Sequence, residues 1–129
     1  MTEEMEPNIE GARIFVVEDE SVITMLLQDM FEELNCEVVS LASRFQDALD
    51  KANTLSFEVA ILDVNLNGQR TFPIAEALRA RGLPFIFATG YGAAAVPENF
   101  RAAPVLQKPF RIADLERAVR TALATPRAA

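Results

Sequence analysis

The sequence predicts a doubly wound α/β domain, a five-stranded parallel sheet with helices on both faces. Three observations lead there. Short runs rich in β-branched and aromatic residues alternate with longer stretches whose apolar residues recur at helical spacing. The short runs are apolar at nearly every position, as strands buried on both faces require. The chain has 129 residues, half of them apolar, which suits one domain with a substantial core.

Taken in order, Ile14-Phe15-Val16-Val17 reads as the first strand. Ile23, Leu26, Leu27, Met30 and Leu34 then fall on one helical face. Cys36 to Val39 is a weaker second strand, and Arg44 to Ala52 a short helix. Val59 to Leu62 is the third strand, and Asn67-Gly68 marks a turn. The next helix carries Pro73 in its first turn, where a missing N–H costs little, and Gly82 is its expected stop. Ile74, Ala75 and Leu78 supply its apolar face. Pro84 to Ala88 is the fourth strand and Ala103 to Leu106 the fifth. Ile112, Leu115, Ala118, Val119 and Ala122 form the stripe of the last helix. The fourth helix has room only at Ala93 to Val96, cut off by Pro97, and is expected to be short or mobile. Residues 1–11 read as a flexible tail, 12–125 as the domain and 126–129 as a C-terminal tail.

Composition excludes several classes. Nineteen acidic and twelve basic residues give a net charge of −7, which disfavours direct binding to DNA. No histidine is present, so histidine metal sites, serine–histidine triads and a phosphohistidine on this chain are all excluded. A lone cysteine, Cys36, rules out an internal disulfide and fits a reducing, cytoplasmic setting. No apolar run approaches the ~18 residues of a membrane span.

The chemistry gathers where the strands end. In open α/β sheets ligands bind beyond the carboxyl ends of the strands. Those ends carry Glu18-Asp19, Asp63, Thr89 and Lys108-Pro109. Singly, each has an ordinary role: Asp63 as a turn residue, Asp19 or Ser21 as a helix cap, Thr89 in a loop, Lys108 on the surface. Their joint placement at one sheet edge argues for phosphoryl transfer. Clustered carboxylates suit a hard divalent cation such as Mg²⁺, one carboxylate can act as nucleophile, and a lysine with a hydroxyl can hold the phosphoryl oxygens.

At these residues the chain resembles the receiver domains of two-component response regulators. The segments that carry the resemblance are Val16-Val17-Glu18-Asp19-Glu20, Ile61-Leu62-Asp63-Val64-Asn65, Thr89-Gly90 and Lys108-Pro109-Phe110. It implies the flavodoxin-like strand order 2-1-3-4-5. It further implies Asp63 as the phosphorylated residue, and Mg²⁺ held by Asp19, Asp63 and the Asn65 carbonyl, with Glu18 acting through a metal-bound water. Thr89 and Lys108 would contact the phosphoryl group, and the proline after Lys108 would be cis. Phe87-Ala88-Thr89-Gly90-Tyr91-Gly92 is similar to the signature of the FAT GUY receivers of alphaproteobacteria, which work with sensor kinases of the HWE or related type.

One departure stands out. Where receivers usually carry a switching aromatic residue, this chain has Val105, so readout is expected to involve Thr89 and Tyr91 instead. The bland alternative is that Tyr91 only packs over its loop. The expected function is a phosphoacceptor that signals by phosphorylation-dependent partner binding, as a monomer. Only 21 residues follow Lys108, too few for a DNA-binding domain, so a phosphate sink or a relay to a phosphotransferase stays open. A phosphohydrolase is disfavoured, because Asn65 stands where such enzymes place a second acid. The domain is thus expected not to be an enzyme in its own right.

Overall fold

The computed structural model describes residues 8–124. Its elements are β1 (Arg13–Val17), α1 (Ser21–Glu33), β2 (Glu37–Ala42), α2 (Phe45–Thr54) and β3 (Val59–Asp63). A two-stranded hairpin follows, β4 (Asn65–Leu66) and β5 (Gln69–Arg70), then α3 (Phe72–Ala80) and β6 (Phe85–Thr89). Two 3₁₀ turns, Gly92–Ala95 and Glu98–Phe100, lead to β7 (Val105–Gln107) and α4 (Ile112–Ala124). The main sheet is parallel with order β2-β1-β3-β6-β7, so the expected order 2-1-3-4-5 is observed.

Strand periodicity splits the core in two. Phe15, Val17, Ala60, Leu62, Phe85 and Phe87 face α2 and α3, where Ala48, Ala52, Ile74, Ala75 and Leu78 cover them. Ile14, Val16, Val59, Ile61, Ile86 and Ala88 face α1 and α4, under Leu27, Phe31, Leu115, Val119 and Ala122. Every residue of β3 and β6 is buried, which is why both runs are apolar up to their last residue. The polar residues that end them, Asp63 and Thr89, therefore emerge at the edge of a dry core.

Helix α3 ends as its glycine predicts. Gly82 has φ 71°, its N–H reaches the Arg79 carbonyl, and the Leu83 N–H reaches the Leu78 carbonyl. That is the paired 5→2 and 6→1 bonding of a left-handed helix stop.

Four expectations need correction. In α1, Ile23, Leu27, Met30 and Leu34 pack on the core as expected, but Leu26 is 41% exposed and Phe31, not expected there, is fully buried. The second strand lies over Glu37–Ala42 rather than Cys36 to Val39. No α-helix forms at Ala93 to Val96. Gly92 enters it with φ 72° and Pro97 is extended at ψ 156°, so only 3₁₀ turns fit between them. Finally, packing starts before residue 12: Ile9 is buried in the α1/α4 core, and the Gly11 N–H donates to the Asn35 carbonyl at 2.7 Å. The rest of the N-terminal tail, residues 1–7, and the C-terminal tail lie outside the described residues. Among the described residues, no helix is long and apolar enough to cross a membrane.

Candidate functional site

β1, β3, β6 and β7 deliver their polar ends to one cleft of about 900 Å³, lined by Asp19, Asp63, Asn65, Thr89, Tyr91 and Lys108 among others. The Glu18 N–H bonds the Ala42 carbonyl, which continues the β1–β2 ladder one residue past the strand and buries Glu18 at its rim. The Lys108 N–H bonds the Thr89 carbonyl, extending the β6–β7 ladder in the same way, and the Lys108–Pro109 peptide is cis.

Lys108 is the hub. Its Nζ lies 3.0 Å from Glu18 Oε1, 3.5 Å from Asp63 Oδ2 and 3.9 Å from Glu20 Oε1. Burial would pull the lysine below its usual value, but the contacts with Glu18 and Asp63 outweigh it and hold the ammonium above that value. Asp63 shows the converse. Burial raises it first, the Glu18 charge raises it further, and Lys108 only partly offsets both, so it stands at about 7. Like charges crowded in a poorly solvated place behave this way.

The β4–β5 hairpin shapes the acidic side. Asn67 and Gly68 take φ values of 53° and 85°, the left-handed pair of a tight hairpin turn, as Asn-Gly predicts. The Asn67 N–H donates to Asp19 Oδ2 at 2.9 Å, and its side-chain amide donates to the Ser43 carbonyl at 2.9 Å. The Asn65 N–H donates to Asp63 Oδ1 at 3.3 Å. Thr71, fully buried, donates its hydroxyl to the Asp63 carbonyl at 2.6 Å.

The structure thus brings Glu18, Asp19, Asp63, Asn65, Thr89 and Lys108 together. Thr89 is buried, and its Oγ1 accepts the Tyr91 N–H at 3.0 Å. Tyr91 lines the cleft but is 83% exposed, so it is not packed over its loop and the bland reading of it does not hold. Val105 stays apart from the cleft: it pairs with Phe87 in the sheet and packs against the aromatic core. Sequence reasoning missed Glu20, Asn67 and Thr71. Glu20 extends the acid run Glu18-Asp19-Glu20, whose carboxylate oxygens lie within 4.8 Å of one another. Asn67 was visible only as a turn former, and nothing local marks Thr71.

Fold and site together define a receiver-type doubly wound domain, with acids and a lysine converging on one strand-end aspartate. Residues 14–120 match the response regulator receiver domain, and the chain belongs to that family. It is 34% identical over 124 residues to the transcriptional regulatory protein TdiR of Thauera aromatica, covering 91% of this chain and 53% of that protein. It spans about half the length of the curated relatives it matches. Among solved structures, SdrG from Sphingomonas melonis Fr1 superposes with a TM-score of 0.79 at 41% identity, covering 88% of this chain and 97% of that one. The beryllofluoride-activated conformation of SdrG from Pseudomonas melonis Fr1 gives a TM-score of 0.74 at 42% identity, covering 86% and 95%.

Proposed function

We propose that Asp63 is the phosphoacceptor of this receiver domain and takes its phosphoryl group from the phosphohistidine of a sensor kinase. The observation that carries the reading is the setting of its carboxylate: nearly buried, 3.5 Å from the Lys108 ammonium, and within reach of the Glu18 charge. In the transfer, an Asp63 oxygen bonds to phosphorus as the phosphorus–nitrogen bond of the donor breaks, and the imidazole leaves with that electron pair. Lys108 is placed to neutralise a phosphoryl oxygen, and the Thr89 hydroxyl can donate to another.

The residues present fit a divalent cation. Glu18, Asp19 and Glu20 cluster beside Lys108, which also reaches Asp63, and burial followed by the Glu18 charge pushes Asp63 to about 7. Asp19, Asp63 and the Asn65 carbonyl would hold Mg²⁺, with Glu18 behind them and occupied by Lys108. When bound, the ion supplies charge neutralisation at the transferring group.

Output is read as phosphorylation-dependent partner binding. The beryllofluoride-activated conformation of SdrG, at 42% identity, supports a switch of this kind. The Phe87–Gly92 run supports membership of the FAT GUY receivers and a kinase of the HWE or related type as donor. The test is direct. Asp63→Ala should abolish labelling by an autophosphorylated histidine kinase; a variant labelled as strongly as wild type rejects the reading.

A further inference from the structure

Thr71 occupies the N-cap position of α3, with φ −93° and ψ 12°, yet makes no side-chain cap bond. A threonine at that place normally offers its hydroxyl oxygen to the N–H groups of the first helical turn. Here that turn asks for less. Pro73 has no N–H, and the Ile74 and Ala75 N–H groups both reach the Thr71 backbone carbonyl. The hydroxyl points elsewhere, to the Asp63 carbonyl at 2.6 Å, eight residues back in the chain. On the neighbouring peptide the Thr71 N–H donates to the Val64 carbonyl at 3.0 Å. One residue therefore ties down the two successive peptides that leave Asp63, and it closes the base of the β4–β5 hairpin. Both ends of the clamp are dry, since Thr71 is 0% exposed and Val64 2%.

From this geometry we infer that Thr71 is a positioning residue for phosphoryl transfer: its buried hydroxyl fixes the backbone of Asp63 and so aims the carboxylate at the incoming phosphorus. The inference rests on the reading of Asp63 as acceptor. The carboxylate has one backbone partner, the Asn65 N–H, at a long 3.3 Å, and one cation, Lys108, at 3.5 Å. Neither contact is short enough to set its direction alone, so orientation is inherited from the main chain. In-line attack is sensitive to small errors of aim, because misplacing a reacting atom by about 1 Å can lower a rate by roughly a hundredfold. A buried carbonyl that loses its donor also shifts to find another, and the Asp63 carbonyl shares its peptide with the start of the hairpin that presents Asn65 and Asn67.

The experiment uses the full chain with Mg²⁺ and acetyl phosphate as donor. An Asp63 oxygen bonds to phosphorus, the phosphorus–oxygen bond to the acetyl group breaks, and acetate leaves with the electron pair. Thr71→Val keeps the shape and removes the hydroxyl; Thr71→Ser keeps the hydroxyl. The Val variant should label roughly tenfold more slowly, yet reach the wild-type end point, while Ser restores the rate to within about twofold. A folded Val variant that labels at the wild-type rate overturns the inference, and so does a Ser variant as slow as Val. If Val does not fold, NMR of the wild type decides. The slowly exchanging Thr71 hydroxyl proton should shift when Mg²⁺ and beryllofluoride are added, and a signal that stays in place refutes the role. A wild-type chain that never labels defeats the acceptor reading itself, and this inference with it.

Discussion

The two rims of the cleft are built in opposite ways. On the acidic rim, residues 63–71 are cross-braced: Asn67 holds Asp19 and Ser43, Asn65 holds Asp63, and Thr71 holds the Asp63 backbone. On the other rim, residues 89–104 make two 3₁₀ turns and leave Tyr91 exposed. Its internal backbone bonds are short-range, such as those from the Phe100, Arg101 and Ala103 N–H groups to the Pro97, Glu98 and Phe100 carbonyls, and the rim is anchored from below. Val96 and Phe100 are buried, and Phe100 packs on Phe72, Phe85 and Phe87 with the Arg79 guanidinium 4.2 Å over its ring. Segments with few backbone hydrogen bonds open at low free energy, whereas braced ones do not. On the proposed function, the hairpin rim would preorganise the acids and the 89–104 rim would report the state of Asp63.

Phe100→Ala gives the largest effect. It removes the main anchor of the 89–104 rim and should cost about 3–4 kcal/mol in urea unfolding. Hydrogen exchange should rise across residues 92–104 and stay unchanged in the hairpin; equal acceleration in both rims breaks the distinction.

Next comes pH. The unfolded chain ionises Asp63 near its ordinary value of 3.8, whereas the folded chain keeps the proton up to about 7. Between those values unfolding releases a proton, so stability present at pH 4 falls as pH rises through 7. The full shift corresponds to about 4 kcal/mol, which solvent screening of the carboxyl in the cleft reduces to roughly 2 kcal/mol without metal, and Asp63→Asn should abolish this slope. Thermal melts from pH 4.5 to 8 in chelator check it, and an unchanged slope in the Asn variant would place the charge stress elsewhere.

Gly68→Ala is smaller. With φ 85° at this position, an added side chain is strained by about 1 kcal/mol, although open space surrounds it. Because Asn67 holds Asp19, Mg²⁺ affinity should weaken a few-fold, read by titration of the fluorescence of Tyr91, the only tyrosine in a chain without tryptophan. Tyr91→Ala is smallest for stability, within about 0.5 kcal/mol, since the ring is exposed. Its effect belongs to the phosphoaspartate lifetime, which should shorten if the ring restricts attacking water; an unchanged lifetime removes Tyr91 from that role.

Much of this was legible in the sequence, for reasons that differ along the chain. β1, β3 and β6 were readable because strands buried on both faces leave few polar positions, so Asp63 and Thr89 mark where the apolar runs end. The face of α1 was read correctly at Ile23, Leu27, Met30 and Leu34, but Leu26 and Leu27 are equally apolar and only packing chooses between them. The fourth helix was expected to be short or mobile, and between Gly92 and Pro97 it shrinks to a 3₁₀ turn, because the span is too short for α-helical bonds. Thr71 was invisible because its partner lies eight residues away across a hairpin, a relation that periodicity does not carry. Val105, marked as a departure from the usual aromatic, packs against the aromatic core, away from the cleft.

The central claim is that Asp63 is the acceptor, and chemical mapping of the label tests it most directly. After phosphorylation in Mg²⁺, borohydride reduces an aspartyl phosphate to homoserine, which peptide mass spectrometry locates. The account predicts homoserine at position 63 and nowhere else. Homoserine at another aspartate, such as Asp19, 5-hydroxynorvaline at a glutamate such as Glu18, or neither in a chain that carries label, would contradict it.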